Sequence, residues 1–228
     1  MSTISFLEKL SLGGFVVCWF GYAYFTELKE RTSPSLLSAV RIYRREWMLR
    51  VIEREQRIMD CYLISTLSNT NTFFASTTLL ILGGLIALLG STDKVINVLA
   101  TLPFIMPSSS QESWVLKIML LIIIFIYAFF KFTLSLRHFT YVSILLGAAP
   151  IKGKDSSNSC AAFVKRTTGI VSTAGDNFNL GLRSYYFGLA ALASFIHPGL
   201  FILSTAWVML ILYRREFYSP TLKMLLEE

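Results

Sequence analysis

Two histidines, three cysteines and a row of arginines are the residues of this 228-residue chain best suited to chemistry. His197 stands in Phe195-Ile196-His197-Pro198-Gly199, inside a long apolar segment. A histidine at membrane depth can relay a proton, hold a ligand or gate a path. Pro198 lacks a backbone donor and so frees the carbonyl of Ser194. His197, Pro198 and Ser194 form the first candidate site. The competing reading is a neutral histidine bonded to a neighbouring helix or to the freed carbonyl. Arg41, Arg44, Arg45, Arg50, Arg54 and Arg57 form a basic stripe, with Arg183 further along the chain. Such a surface would hold anionic lipid headgroups or an acidic partner, although the acids between Glu46 and Asp60 dilute it. Asn69, Asn71, Ser76 and Thr77 form a third candidate, a polar helix face that either lines a pore mouth or hydrogen-bonds other helices.

Catalytic groupings are missing. The chain has no Walker loop, no GxGxxG, no GxSxG elbow and no HExxH. His138 and His197 are far apart in sequence, and no Cys/His/carboxylate spacing suggests zinc. Lys131, Ser135 and His138 recur at i, i+4 and i+7, either as a water-lining stripe or as the ordinary end of a helix. Cys18, Cys61 and Cys160 include no CxxC pair and read as reduced thiols. A non-enzymatic protein without cofactor or metal is expected.

The elements that carry these residues follow from composition. Hydrophobic residues make up 54% of the chain and charged residues 15%, against about 45–50% and 25% in soluble domains. Four segments, about 4–26, 72–90, 114–136 and 185–213, are apolar enough to cross a bilayer. The first is read as a retained helix, since Glu8 sits beside Lys9 and no cleavage site follows. Residues 27–71 carry eight Lys/Arg and residues 137–184 carry six, whereas residues 91–113 carry one. The positive-inside rule makes the first and third connections cytoplasmic and places the N-terminus outside. Arg214 and Arg215 directly follow the last segment and disfavour an external C-terminus. The last segment is read as one kinked span, with a turn back at Phe195–Gly199 as the alternative. The net charge of +7 is then an orientation signal and not a nucleic-acid signature.

Between the spans, Ser33-Pro34 reads as a helix start, and no Gly or Pro interrupts residues 35–82, so one helix is expected to run from Pro34 into the second span. Phe132, Leu136, Phe139 and Val142 extend the third span beyond the bilayer. A loop over 148–159 precedes a short amphipathic helix bearing Phe163, Ile170, Ala174 and Phe178 on one side, which lies on the inner leaflet or packs on the first-connection helix. Gly14, Cys18 and Gly21, then Ser76, Gly83 and Ala87, then Ala190, Ser194 and Pro198 supply small-residue faces for helix contact.

Two stretches carry a resemblance. One comprises Arg44-Arg45-Glu46-Trp47-Met48, Arg57-Ile58-Met59-Asp60 and the run Phe73 to Leu85. The other comprises Phe178 to Phe187, His197-Pro198 and Leu212-Tyr213-Arg214-Arg215-Glu216-Phe217. Together they resemble a domain-of-unknown-function family of polytopic membrane proteins found in bacteria and plants. The resemblance implies a four-helix membrane architecture and assigns no reaction. Tyr43-Arg44-Arg45-Glu46-Trp47 and Tyr213-Arg214-Arg215-Glu216-Phe217 also echo each other, which would favour the turn back if both lay at one membrane face.

The chain is therefore expected to be an all-α polytopic helical bundle, a single membrane domain over 1–228 with about four transmembrane helices and long cytoplasmic helix extensions. It is expected in a bacterial inner membrane, facing anionic lipids of the inner leaflet. Its expected role is a structural or accessory component of a homo-oligomer or larger membrane assembly, without nucleic acid. The alternative is an oligomeric ion channel or small-solute transporter with His197 on the path.

Overall fold

The computed structural model describes residues 6–30, 32–91, 111–151, 153 and 155–227, and these form an all-α protein. Its helices are α1 (Phe6–Glu30), α2 (Leu36–Val51), α3 (Ile58–Gly90), α4 (Gln111–Gly147), α5 (Ser157–Leu192), α6 (Pro198–Phe217) and α7 (Pro220–Leu226). A 3-10 turn over Ala193–Phe195 separates α5 from α6. By length and composition, α3 and α4 are long and apolar enough to cross a membrane. The expected spans over 4–26 and 185–213 rest on less apolar helices. The expected external connection lies largely at 92–110, outside the described residues.

The chain divides into two compact units, whose boundaries fall between α1 and α2 and within α3, α4, α5 and α6. The first holds 1–33, 78–128 and 182–215. Its core joins Phe15, Trp19 and Tyr22 of α1 to Leu121, Ile124 and Phe125 of α4, Phe187 of α5 and Phe201 of α6. Phe15 meets Phe187 edge-on at 5.8 Å and lies 5.0 Å from Phe201. Gly188 lets the Phe125 ring approach α5, since a Cβ there would stand 3.1 Å from it. Burying such large rings supplies much of the apolar packing of this unit.

The expected single kinked span over 185–213 is instead a helical hairpin. Ser204 Oγ donates to the Ala190 carbonyl at 3.0 Å, and the Arg215 guanidinium lies 5.7 Å from the Tyr186 ring. Residues 14 and 29 apart meet only if α6 runs back along α5, because a continuous helix would separate the first pair by about 21 Å. Pro198 cannot continue the α5 ladder and suits the first position of α6 instead.

The second unit holds 34–77, 129–181 and 216–228. Its core joins Met48 and Val51 of α2, Ile64 of α3, Phe139, Val142 and Leu146 of α4, and Phe163, Val164, Val171 and Ala174 of α5. The 37-residue α4 keeps the expected overshoot, with Phe132, Phe139 and Val142 buried. The helix expected to run unbroken from Pro34 into the second span stops at Val51 and restarts at Ile58. Its start is capped by Ser35, whose hydroxyl accepts from Ser38 N–H in a reciprocal capping box. The break needs no Gly or Pro because polar side chains make it. Trp47 Nε1 and Arg54 donate to Asp60 Oδ1 at 2.7 and 2.8 Å across the bend. The expected short amphipathic helix is the first part of the 36-residue α5, and Arg41 of α2 pairs with its Asp176 at 2.8 Å.

Candidate functional site

His197 sits at the exposed turn between α5 and α6 and not deep in a span. Its Nδ1 accepts from the Gly199 N–H at 2.9 Å, so the ring caps the α6 N-terminus in the way Asn or Asp commonly do. That bond requires Nδ1 unprotonated, leaving Nε2 to carry the ring hydrogen in the neutral form. Ser194 is buried and its hydroxyl donates to the Ala191 carbonyl at 2.6 Å. The three residues thus end one helix and begin the next.

The polar face on α3 also divides. Asn71 is buried and its Nδ2 donates to the Leu67 carbonyl at 2.9 Å. Asn69 and Ser76 are exposed, and Thr77 bonds back to the Phe73 carbonyl. The interhelical bond falls on the neighbouring Thr78, which shares a 2.8 Å hydrogen bond with Tyr185 Oη. Ser135 of α4 is likewise turned inward, donating to the Ala174 carbonyl at 2.7 Å. It ties two helices together where a water-lining stripe was the alternative.

The arginines change most. Arg41 holds Asp176, and Arg54 holds the fully buried Asp60. Arg57 donates to the carbonyls of Ala149 and Pro150 at 2.8 and 2.7 Å, closing the α4–α5 loop. Arg44 rests on α5, its Nη1 3.5 Å from the Ser172 carbonyl. Burial pushes its pKa down from the usual arginine value, against the opposing pull of Asp176. Arg50 pairs with Glu46 on the surface, and Arg45 is exposed. Arg183 belongs to the first unit and is buried, donating to Thr26 Oγ1 at 3.0 Å and lying 5.7 Å from the Tyr22 ring. The expected basic surface is therefore largely a set of staples between helices. The sequence signal for this was present in the acids spaced along other helices, Asp60 and Asp176, which segment-by-segment charge counting treats only as dilution.

Further polar contacts in the first unit have no counterpart among the sequence motifs. Lys117 Nζ and Ser113 Oγ both donate to Glu8 Oε1 at 3.0 Å in a buried cluster. At the other end of α1, Lys29 Nζ donates to Tyr213 Oη at 2.5 Å and lies 4.4 Å from that ring's centre. The echo of Tyr43–Trp47 in Tyr213–Phe217 has no common role. Glu216 accepts from the Leu37 N–H at 3.3 Å, placing a carboxylate at the α2 N-terminus, whereas Glu46 pairs with Arg50. Among the described residues no group of His, Cys, Asp and Glu could hold a metal ion.

Helices of membrane-crossing length, polar groups spent on helix contacts and an exposed hairpin turn define an all-α helical protein whose charged groups mainly position its own elements. The chain belongs to the family described as protein of unknown function, DUF599, whose model matches residues 10–221. No curated protein and no solved structure matches it.

Proposed function

We propose that the protein is a non-enzymatic integral membrane scaffold of the inner membrane that assembles laterally with copies of itself. The observation that carries this reading is the exposure of α3. Only 17% of its most apolar stretch is buried within the chain, against 44% for α4. A purely lipid-facing helix needs only apolar side chains there. Instead Ser65, Asn69, Thr72, Ser76 and Gly83 are exposed at steps of three, four and seven, a face whose small and amide side chains allow close approach and interhelical hydrogen bonds.

In this reading the four apolar segments lie in the bilayer and the last leaves and returns, making five crossings. Glu8 to Lys29 of α1 spans about 31 Å at 1.5 Å per residue, close to the roughly 30 Å hydrocarbon core. The Trp114 ring lies tilted against Phe195 at 4.9 Å, so the hairpin turn is level with the start of α4. The N-terminus is then outside, and Arg214 and Arg215 return to the side of the first connection, as the positive-inside rule favours. The exposed Arg45 and Arg50 face anionic lipid or water on that side.

Mass measurement of the full chain in mild detergent and in nanodiscs tests the scaffold. A dimer or larger species is expected, with Gly83→Leu and Asn69→Leu shifting it toward monomer. A monomer for the unaltered chain at micromolar concentration in both media refutes self-association.

A further inference from the structure

The first turns of α3 are apolar, uncharged and uncovered. The helix runs 33 residues, about 50 Å at 1.5 Å per residue, against a hydrocarbon core of roughly 30 Å. Tilt alone would need about 53° to bring that length within the core, beyond the about 0–40° that membrane helices adopt. With the apolar span over 72–90, residues 58–71 extend past the bilayer. Asp60 is the sole charged residue of the helix and is buried. Ile58, Met59, Tyr62, Leu63 and Leu67 are nevertheless exposed, Ile58 at 78% and Tyr62 at 67%. A helix side turned to water ordinarily carries charge, and an exposed apolar patch of this kind marks a contact surface.

The spacing says what fits it. Ile58, Tyr62, Ser65, Asn69, Thr72 and Ser76, all in the second unit, are exposed and follow one another at alternating steps of four and three, the repeat of a coiled-coil seam. Asp60, Ile64 and Asn71 each come two residues after a seam position, about 200° round the helix, and are buried. The seam therefore faces directly away from the unit's own core. Identical copies inserted the same way present it in parallel, and a two-fold axis along the membrane normal sets each residue opposite its counterpart. No exposed charge on α3 opposes that approach. Asn69 is the one amide in the seam. Its side chain both donates and accepts, and a single Asn at such a position selects register and strand number.

We propose that residues 58–76 of α3 form a parallel, two-stranded coiled coil with the same segment of a second copy, Asn69 facing Asn69 of the partner subunit, so that the protein is a dimer zipped beyond the bilayer. This pairing rests on the self-association read from the exposed face of α3, and it adds a strand number, a direction and a register. Ile58 and Tyr62 bury their side chains at the outer end of the zipper, where lipid does not reach them.

The test uses the full chain in nanodiscs with Cys61→Ser, since that thiol is exposed on the same helix. Ser65→Cys and Thr72→Cys lie on the seam, whereas Leu63→Cys and Thr70→Cys are exposed off it. Under a mild added oxidant the first two are expected to cross-link into dimers and the second two to stay uncoupled, because a disulfide needs Cα atoms within about 7 Å. Tyr62→Glu is expected to weaken the dimer at least about tenfold in a vesicle dilution series, since it removes a buried ring from each copy and sets like charges face to face. Leu63→Glu is expected to leave the dimer unchanged, and circular dichroism to show both variants as helical as the unaltered chain. A dimer by mass that cross-links through Leu63→Cys and Thr70→Cys, or through none of the four, overturns the coiled coil and leaves self-association standing. So does a trimer or larger species, or a Tyr62→Glu dimer as tight as the unaltered one. A monomer overturns both.

Discussion

Gly181 of α5 offers a clean measurement of packing in the second unit. A Cβ there would stand 2.6, 2.8 and 2.9 Å from three atoms of the Phe132 ring. The ring has little room to yield. Phe132 is fully buried, stacked on Phe74 at 5.4 Å and tilted against Phe178 at 5.7 Å. Overpacking of this kind costs about 1–3 kcal/mol. Alanine also gains up to about 1 kcal/mol over glycine in a helix interior, so the net loss for Gly181→Ala is about 0–2 kcal/mol. Gly169 lies in the same helix and is exposed, and a Cβ there would meet nothing within 4 Å, so Gly169→Ala takes the helix gain without the clash. The difference between the two variants isolates the contact at about 1–3 kcal/mol, or several degrees in melting temperature at about 2–4 °C per kcal/mol for chains of this size. Thermal unfolding in one detergent reads both. Adding Phe132→Leu to Gly181→Ala is expected to cost less than the single changes summed, since the smaller side chain makes space. A Gly181→Ala protein as stable as Gly169→Ala refutes the close approach of α4 and α5 at this point.

Other consequences are as direct. His197→Ala is expected to cost about 1 kcal/mol by removing the α6 cap, and His197→Asn to recover most of it; chemical denaturation of the three proteins checks this, and a large loss with Asn would restore a special role for the imidazole. Asp60→Ala is expected to destabilise by about 1–3 kcal/mol, because it strips an acceptor from Trp47 and from the half-exposed Arg54, whereas Glu46→Ala, on the exposed Arg50 pair, is expected to cost under about 1 kcal/mol; equal losses in a denaturation series would contradict the burial of Asp60. A reporter fused to the C-terminus and another placed beside Arg45 are expected to be reached from the same side of sealed vesicles, and opposite accessibility would exclude five crossings.

What the sequence made legible was periodic and local. The continued apolar spacing through Phe132, Phe139 and Val142 announced that α4 runs on, and Pro198 announced that something changes at its position. Neither reported direction. A proline after a histidine reads the same in a kink and in a reversal, and the difference lies in Ser204 meeting Ala190, a contact between residues 14 apart. The break after Val51 was hidden for a related reason. Its residues, Ile52 to Arg57, contain no turn formers, and the bend is held by Asp60 gathering Trp47 from α2 and Arg54 from the break itself. Long-range polar contacts such as Thr78 with Tyr185, or Lys29 with Tyr213, join residues that no spacing rule connects.

The arginines show why counting charges and placing them are different inferences. The positive-inside rule uses the number of Lys and Arg flanking a segment, and that number is indifferent to what each side chain does after folding. Here Arg41, Arg54 and Arg57 bind carboxylates or carbonyls, so the residues on which the proposed orientation rests also hold the second unit together. Removing them would lower stability and weaken the orientation signal at once, and neither effect could be read from the other. Arg45 is exposed and offers the separation. In the proposed topology Arg45→Gln reduces the cytoplasmic count by one, with little expected loss of stability, since an exposed charge contributes at most about 1 kcal/mol. Adding Lys beyond Lys94 in the second connection, together with Arg45→Gln, is expected to perturb orientation in a chain that still folds. If orientation instead follows the stability of Arg54 and Arg57 variants, the interior contacts and not the charge count fix which way the protein inserts.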